Sequence, residues 1–418
     1  MNVETFLRRM FRVGAIAIRL PGGRLLNLGD GGAPTVAVTL SGETTLARIA
    51  TAPSLGVGEA YMDGRLVMER GDIRDLLELA TRNRVGARLY KRPGALRRAW
   101  TSLVRENNAR QDARRNVRHH YDLSVELYRT FLDSDLQYSC AYFERDNMTL
   151  EEAQAAKKRH IAAKLALAPG QKVLDIGCGW GGLALTLAEA ADVSVRGVTL
   201  SDEQLTTART RAAARGLGDK VSFSLTDYRD IDGRFDRIVS VGMFEHVGRP
   251  NYQAFFDTVA ERLTDDGVAL IHSIGRSSGP STTDRFTAKY IFPGGYIPAL
   301  SEVLPVAERA GLWVTDIEVL RLHYAKTLQS WYERFQDNRA EMAALYDERF
   351  CRMWEFYLAG AEMGFRYGDH MNFQIQLTKS VDALPLTRGY IDLAEQALAT
   401  RERTPARPLS IVRNTPLP

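Results

Sequence analysis

A chain of 418 residues with 55 Lys and Arg against 51 Asp and Glu is long enough for one large domain and a smaller one, and its net charge of +4 excludes a polycationic or strongly acidic protein. Hydrophobic residues make up 45% and charged residues 25%, the mix of a globular fold rather than a disordered or fibrous one. Cys140, Cys178 and Cys351 form no C-x-x-C pair and no even framework, and the apolar run Val13–Ile18 between Arg12 and Arg19 is too short for a membrane span, so a reducing, cytoplasmic location is expected.

The first segment, residues 1–81, reads as a small α+β domain. It opens with a helix expected over Glu4–Ile18, followed by a Gly/Pro-rich region from Pro21 to Pro34. Val36–Leu40 alternates like a strand, Thr44–Ile49 starts a helix, and Gly56–Tyr61 and Asp63–Leu66 bracket a turn. Without a catalytic constellation, this domain is a scaffold or a substrate-docking unit.

Residues 82–118 are basic, with Arg and Lys interleaved among Leu89, Tyr90, Leu96, Trp100, Leu103 and Val104 against only Glu106 and Asp112. That pattern suits an interfacial helix on an anionic membrane surface; a solvated linker and a nucleic-acid contact are the alternatives. Pro93–Gly94 divides it into two helices.

From His119 to residue 400 a larger domain is expected, with a tail over 401–418. Ser124 is the expected N-cap of a helix over Val125–Leu132, and Thr149 with Glu152 forms a capping box for a helix running to Leu165. Val173–Gly182 then reads VLDIGCGWGG, a buried strand ending at Asp175 and a turn containing Gly177, Gly179, Gly181 and Gly182 before a helix over Leu183–Ala191. The spacing D-x-G-x-G-x-G is neither G-x-G-x-x-G nor a P-loop. Its glycines allow backbone to approach a ligand closely, at the start of a helix.

Strands then alternate with helices: Val193–Leu200, Val221–Thr226, Phe235–Gly242, Val268–Ile274 and Leu312–Leu320, with helices over Asp202–Arg215 and Tyr252–Leu263. This is an α/β, doubly wound pattern whose ligands bind at the carboxyl ends of the strands. That rule gathers Gly177–Gly182, Thr199–Gln204, Asp227, Tyr228, Glu245 and His272 on one rim. The insert after the fifth strand (Phe286, Tyr290, Ile291, Phe292, Tyr296, Ile297) and a second aromatic group (Trp331, Tyr332, Phe335, Trp354, Phe356, Tyr357) are enough to line an acyl tunnel, or to form the core of a helical lid. Asn372–Ser380 adds a last strand, and the Pro-rich tail past Thr400 reads as unstructured.

The phrases HYDLS (His120–Ser124), YSCAYF (Tyr138–Phe143), LDIGCGWGG (Leu174–Gly182), GVTLS (Gly197–Ser201), FEHVG (Phe244–Gly248), HSIG (His272–Gly275) and YIFPGGYIP (Tyr290–Pro298) occur in this order. Together they resemble the cyclopropane-fatty-acyl-phospholipid synthase family of class I S-adenosylmethionine-dependent methyltransferases, over residues 115–395. The resemblance implies a Rossmann-like methyltransferase sheet with a helical lid insert. It implies methylene transfer from S-adenosylmethionine to a cis double bond in an acyl chain of a membrane phospholipid, by a cytoplasmic protein held peripherally at the membrane. A homodimer is possible, and no nucleic-acid partner is expected.

The resemblance also implies a bound bicarbonate as the base, held by the Cys140 amide, Glu245, His272, the Ile274 amide and Tyr324. Cofactor contacts carry over to Tyr138, Ser139, Asp175, Gly177, Cys178, Gly179, Thr199, Leu200, Ser201, Gln204, Asp227 and Tyr228. Thr199 stands where many methyltransferases have a ribose-binding acid, so Gln204 is the candidate for that contact. Tyr290, Phe292 and Tyr296 are the tunnel candidates, and Tyr121, Phe143 and Tyr324 are available to stabilise a cation. Taken singly, Glu245 could cap a helix, His272 could be a core histidine and Tyr324 could be packing. A zinc site from Cys140, Glu245 and His272 is conceivable by ligand type, but no short-spaced pair supports it and no metal is expected. A methyltransferase making methyl-branched lipid or acting on a small soluble acceptor, and a non-catalytic binder of lipid or cofactor, remain as other readings.

Overall fold

The computed structural model describes residues 3–87 and 124–403, and element labels number those residues only. The chain begins with α1 (Val3–Met10), β1 (Ala15–Arg19), β2 (Leu25–Gly29), β3 (Val36–Leu40), α2 (Thr45–Thr51), α3 (Pro53–Met62), β4 (Leu66–Arg70) and α4 (Ile73–Ala87). Its four strands lie in the order β2-β1-β3-β4, with β1 and β3 parallel. The helix expected over Glu4–Ile18 therefore ends at Met10. Gly14 takes φ 73°, and beyond it Ile16 and Ile18 point into the core as strand residues opposite Val36 and Val38. Gly56–Tyr61, expected beside a turn, lies inside α3.

The second unit contains α5 (Val125–Phe131), α6 (Leu150–Lys164), β5 (Lys172–Ile176), α7 (Gly182–Ala191), β6 (Ser194–Thr199), α8 (Asp202–Ala214), β7 (Val221–Leu225), β8 (Phe235–Val241), α9 (Tyr252–Arg262) and β9 (Leu263–Arg276). It continues with α10 (Leu300–Arg309), β10 (Trp313–Val319), α11 (His323–Asp337), α12 (Arg339–Leu345), α13 (Glu348–Arg366), β11 (His370–Thr378) and α14 (Gly389–Arg403). Seven strands order as β10-β11-β9-β8-β5-β6-β7, parallel from β9 through β7, with β11 antiparallel between β9 and β10. This is the α/β fold class read from the sequence.

Thr149 and Glu152 form the expected capping box on α6. Ser124 makes no side-chain cap; its hydroxyl accepts instead from Tyr346 at 3.2 Å. β9 starts at Leu263, earlier than expected, because a bulge between the Phe235–Leu263 and Arg237–Val268 pairs absorbs the turn-like residues Thr264–Gly267. β11 is buried on both faces. Met371, Phe373, Ile375 and Leu377 join an apolar cluster with β8 and α9, while Asn372, Gln374, Gln376 and Thr378 face the other side.

α5, α11, α13 and the N-terminal unit share one apolar cluster, in which Trp331 and Trp354 are fully buried. Polar contacts reinforce this junction. Arg74 donates twice to the buried Glu362, both at 2.7 Å, Tyr61 donates to Glu355 at 2.8 Å, and Lys289 and Tyr290 donate to Glu59 at 2.6 and 2.9 Å. The tail expected to be unstructured from 401 is helical through Arg403, as the end of α14; residues 404–418 lie outside the described residues, as do the basic stretch beyond Ala87 and His119–Leu123, including Tyr121. Among the described residues no helix is long and apolar enough to cross a membrane.

Candidate active site

β5 ends at Ile176, and the following turn places Gly177 at φ 83°. A Cβ there would lie 2.8 Å from Cβ and Cγ of Met243, so only glycine lets the turn pass beneath the end of β8. The amides of Gly177 and Cys178 both donate to the Val198 carbonyl, at 2.9 and 3.0 Å, and tie the turn to β6. Above it a cleft opens at the carboxyl ends of the strands.

Tyr138, Ser139, Asp175, Gly177, Cys178, Gly179, Thr199, Leu200, Gln204, Asp227 and Tyr228 all line this cleft. Ser201 does not; its hydroxyl caps α8 by accepting from the Gln204 amide at 3.3 Å. Gln204 Oε1 accepts from the Thr199 hydroxyl at 2.7 Å, and Asp227 accepts from Arg229 at 2.8 and 2.7 Å. Asp175 is 1% exposed, its Oδ2 has no partner, and burial pushes its carboxyl up to about 7. Glycine-lined backbone, an unsatisfied buried carboxylate oxygen and flanking aromatic rings fit a bound nucleoside with a cationic substituent.

Met243, His246, Trp180 and Arg229 also line the cleft and were not singled out by sequence reasoning. The signal was available for Met243 and His246, which flank Glu245 just past β8 on the same rim. Burial lowers the His246 imidazole to about 4, so it is neutral and adds no charge to the wall.

Glu245 lies in the turn after β8 and His272 within β9, where the Gly242 amide donates to the His272 carbonyl at 2.9 Å. Glu245 Oε1 accepts from the Ile274 amide at 2.6 Å, and its Oε2 is buried without a partner. The Ile274 amide, expected to face an anion, is thus engaged by Glu245. Burial pushes the Glu245 carboxyl up to about 7 and holds His272 well below the usual imidazole range. Gln374 Nε2 meets His272 Nδ1 at 3.1 Å; with that amide donating, the ring proton sits on Nε2, a buried N–H without a partner. The orphaned carboxyl oxygen leaves Glu245 able to accept one further hydrogen bond, and the orphaned imidazole N–H leaves His272 able to donate one.

Cys140 is buried in the segment after Ser139, and burial raises its thiol; Tyr324 packs on Trp331 and Phe365. Neither residue lines the cleft, and neither do Glu245, His272 and Ile274. Phe143 packs against His323 outside the cleft lining.

The three tunnel candidates separate. Phe292 packs edge-on against His246 of the cleft wall and against Tyr357, whose hydroxyl lies 2.9 Å from that of Tyr138. Tyr290 turns to Glu59 of the N-terminal unit. Tyr296 is buried in the β8–α9 core, donating to Glu302 at 2.8 Å beneath Arg249, away from the other two.

Comparison with known proteins places these observations in a family. The profile described as mycolic acid cyclopropane synthetase matches residues 108–375, and one described only as a domain of unknown function matches residues 3–87. A probable fatty acid methyltransferase of Pseudomonas putida is 38% identical over 387 residues, 90% of this chain and 94% of that protein. The cyclopropane-fatty-acyl-phospholipid synthase of Escherichia coli K12 is 39% identical over 353 residues, 80% of this chain and 86% of that one. The crystal structure of mycolic acid cyclopropane synthase CmaA1 complexed with SAH and CTAB superposes with a TM-score of 0.60 at 38% identity, covering 63% of this chain and 97% of that chain. With more than half of its length matched by the profile and relatives this similar along most of it, the chain belongs to the mycolic acid cyclopropane synthetase family.

Proposed function

We propose that this protein is an S-adenosylmethionine-dependent enzyme that adds a methylene group across the cis double bond of an unsaturated phospholipid acyl chain, forming a cyclopropane ring. The observation that carries the reading is two orphaned, buried groups, Glu245 Oε2 and His272 Nε2, on segments next to Gly242, Met243 and His246 in the lining of a glycine-floored cleft. The SAH bound by the mycolic acid synthase and the name of the E. coli relative support the donor and the substrate class.

S-adenosylmethionine bound in the cleft supplies an electrophilic methyl group, and bicarbonate bound beside it supplies a base for the proton that must leave that carbon. Gly177 and Gly179 let the donor approach the turn, Tyr138 and Ser139 cover it, and Asp175 gives the cleft an orphaned carboxyl oxygen. An alkene is a weak nucleophile, so orientation and exclusion of water carry much of the rate. Phe292 and Tyr357 provide an apolar wall for that purpose. Glu245, held near neutrality by burial, accepts or shares the proton of the anion's hydroxyl, while His272 donates from Nε2.

The test is incubation with S-adenosylmethionine and vesicles of unsaturated phospholipid, followed by mass spectrometry and proton NMR of the fatty acids. A gain of one CH₂ with cyclopropyl resonances supports the reading, and no gain in any acyl chain overturns it. The methyltransferase name of the P. putida relative favours a second outcome, a branched chain from the same cationic intermediate, which the NMR separates from the ring.

A further inference from the structure

Beneath the cleft lies a charge that the proposed chemistry does not use. Lys157 on α6 is fully buried, and its ammonium donates to Gln137 Oε1 at 2.6 Å and to Ser139 Oγ at 2.8 Å. Among the described residues no carboxylate lies within ion-pairing distance of it, so a cation that is costly to bury is met only by neutral acceptors. One helical turn earlier, Gln154 Nε2 donates to the main-chain carbonyls of Gln137 and Ser139, at 3.2 and 3.0 Å. Two side chains spaced i, i+3 on α6 therefore make four hydrogen bonds to the residues on either side of Tyr138.

The segment they hold is not one that relaxes into place unaided. Leu136, just upstream, sits at φ 55°, in the left-handed region that a leucine avoids. Tyr138 and Ser139 line the cleft, and the Tyr138 ring stacks on Trp331 at 5.2 Å between centroids.

We infer that Lys157 is a positioning residue for the methyl donor: its ammonium, with Gln154, fixes Gln137–Cys140 in the shape that presents Tyr138 and Ser139 to the cofactor. The inference rests on the reading of the cleft as the S-adenosylmethionine site. Charge-assisted bonds are the stronger kind, so the bracket is firmest while Lys157 is protonated. The titratable groups that face it are Asp133 and Asp135 from the preceding loop, Lys158 beside it, Cys140 in the held segment, Asp175 at the end of β5 and His272 on β9. Desolvation outweighs the attraction of Asp133 and brings Lys157 down to about 8.

Calorimetry with S-adenosylhomocysteine on the full chain and on Lys157→Met and Gln154→Leu tests this, with folding checked by thermal melting. Loss of the ammonium is expected to weaken binding about tenfold or more and to raise KM for S-adenosylmethionine more than it lowers kcat, as misplacement of a contact segment does. A pH series with 5′-methylthioadenosine, which carries no group that titrates from about pH 7 to about pH 9.5, should show the unmodified chain losing more affinity over that range than Lys157→Met, whose remaining slope comes from Asp175 in the same cleft. Lys157→Met binding within about twofold of the parent, or a pH profile the same in both, overturns the inference. Should Lys157→Met not fold, a flat profile in the unmodified chain together with unchanged binding by Gln154→Leu overturns it equally. Failure of the unmodified chain to bind either ligand overturns the donor-site reading itself.

Discussion

Glu245 accepts from the Ile274 amide at 2.6 Å through Oε1, so one carboxyl oxygen braces the turn after β8 against β9 while the other stays buried and unbonded. The two oxygens separate a structural task from a chemical one. Glu245→Gln keeps an acceptor for Ile274 and removes the acid. S-adenosylhomocysteine affinity should stay within about twofold while turnover falls about 100-fold, the usual scale for losing an acid–base group. Isotope transfer from labelled S-adenosylmethionine to lipid measures it, and turnover near that of the parent would show that the carboxyl serves packing alone.

Asp175 predicts how stability follows pH. Its carboxyl titrates at about 7 in the folded chain against an ordinary 3.8, so the native state holds the proton more tightly than the unfolded one. The stabilisation is full below the ordinary value and is lost as pH rises through the folded one. Asp175→Asn should therefore raise the unliganded melting temperature at pH 8 by a few degrees and leave it unchanged near pH 4. Scanning calorimetry at both values decides, and an equal shift at both contradicts the assignment.

Gly177→Ala places a methyl 2.8 Å from Met243 at φ 83°, in a conformation that costs a side chain about 1–2 kcal/mol before any clash. Loss of S-adenosylhomocysteine binding with a lower melting temperature is expected. Unaltered binding would show that the turn does not floor the donor site.

The ring nitrogens of His160 join Glu318 and Glu395 at 2.7 and 2.5 Å, and Glu395 belongs to α14. Burial opposes charge on this imidazole, but the two carboxylates outweigh it and raise its pKa above the ordinary 6.5. A raised base stabilises fully below the ordinary value and loses that contribution as pH rises through the folded one. Hydrogen exchange of residues 389–403, corrected for intrinsic rates, should accelerate on the alkaline side, and His160→Gln should remove the acceleration.

Arg74→Met strips the fully buried Glu362 of its bidentate partner and leaves it Arg366 at 2.7 Å. A loss of about 1–3 kcal/mol in urea unfolding is expected, less than for an isolated buried charge because one cation remains. Restoration of part of it by adding Glu362→Leu would confirm that the cost is the orphaned carboxylate.

The rim of the large sheet is legible because β5 to β8 are short apolar runs closed by Asp, Gly or Ser, and the strand-end rule then gathers the cleft lining on one side. Ser201 shows the limit of that rule: it stands on the rim but turns to cap α8. Ile16 and Ile18 are misread because a helix pattern and a strand pattern coincide over so few residues, and only pairing with β3 settles them. Tyr296 shares a Pro/Gly-rich stretch with Phe292, yet the turn sends the two rings into different cores. Lys157 carries no sequence signal, since a lysine among alanines on a charged helix has the pattern of a wet face. Its burial comes from the loop that folds across it.

β11 slots between β9 and β10, both of which precede it in the chain, and it brings Gln374 to the His272 ring. During synthesis the ribosome therefore releases a complete donor loop well before the strand that finishes the sheet. A nascent chain halted ahead of residue 370 would hold the glycine turn but not the amide that sets the histidine's tautomer, so the turn is made before the histidine's hydrogen bond is.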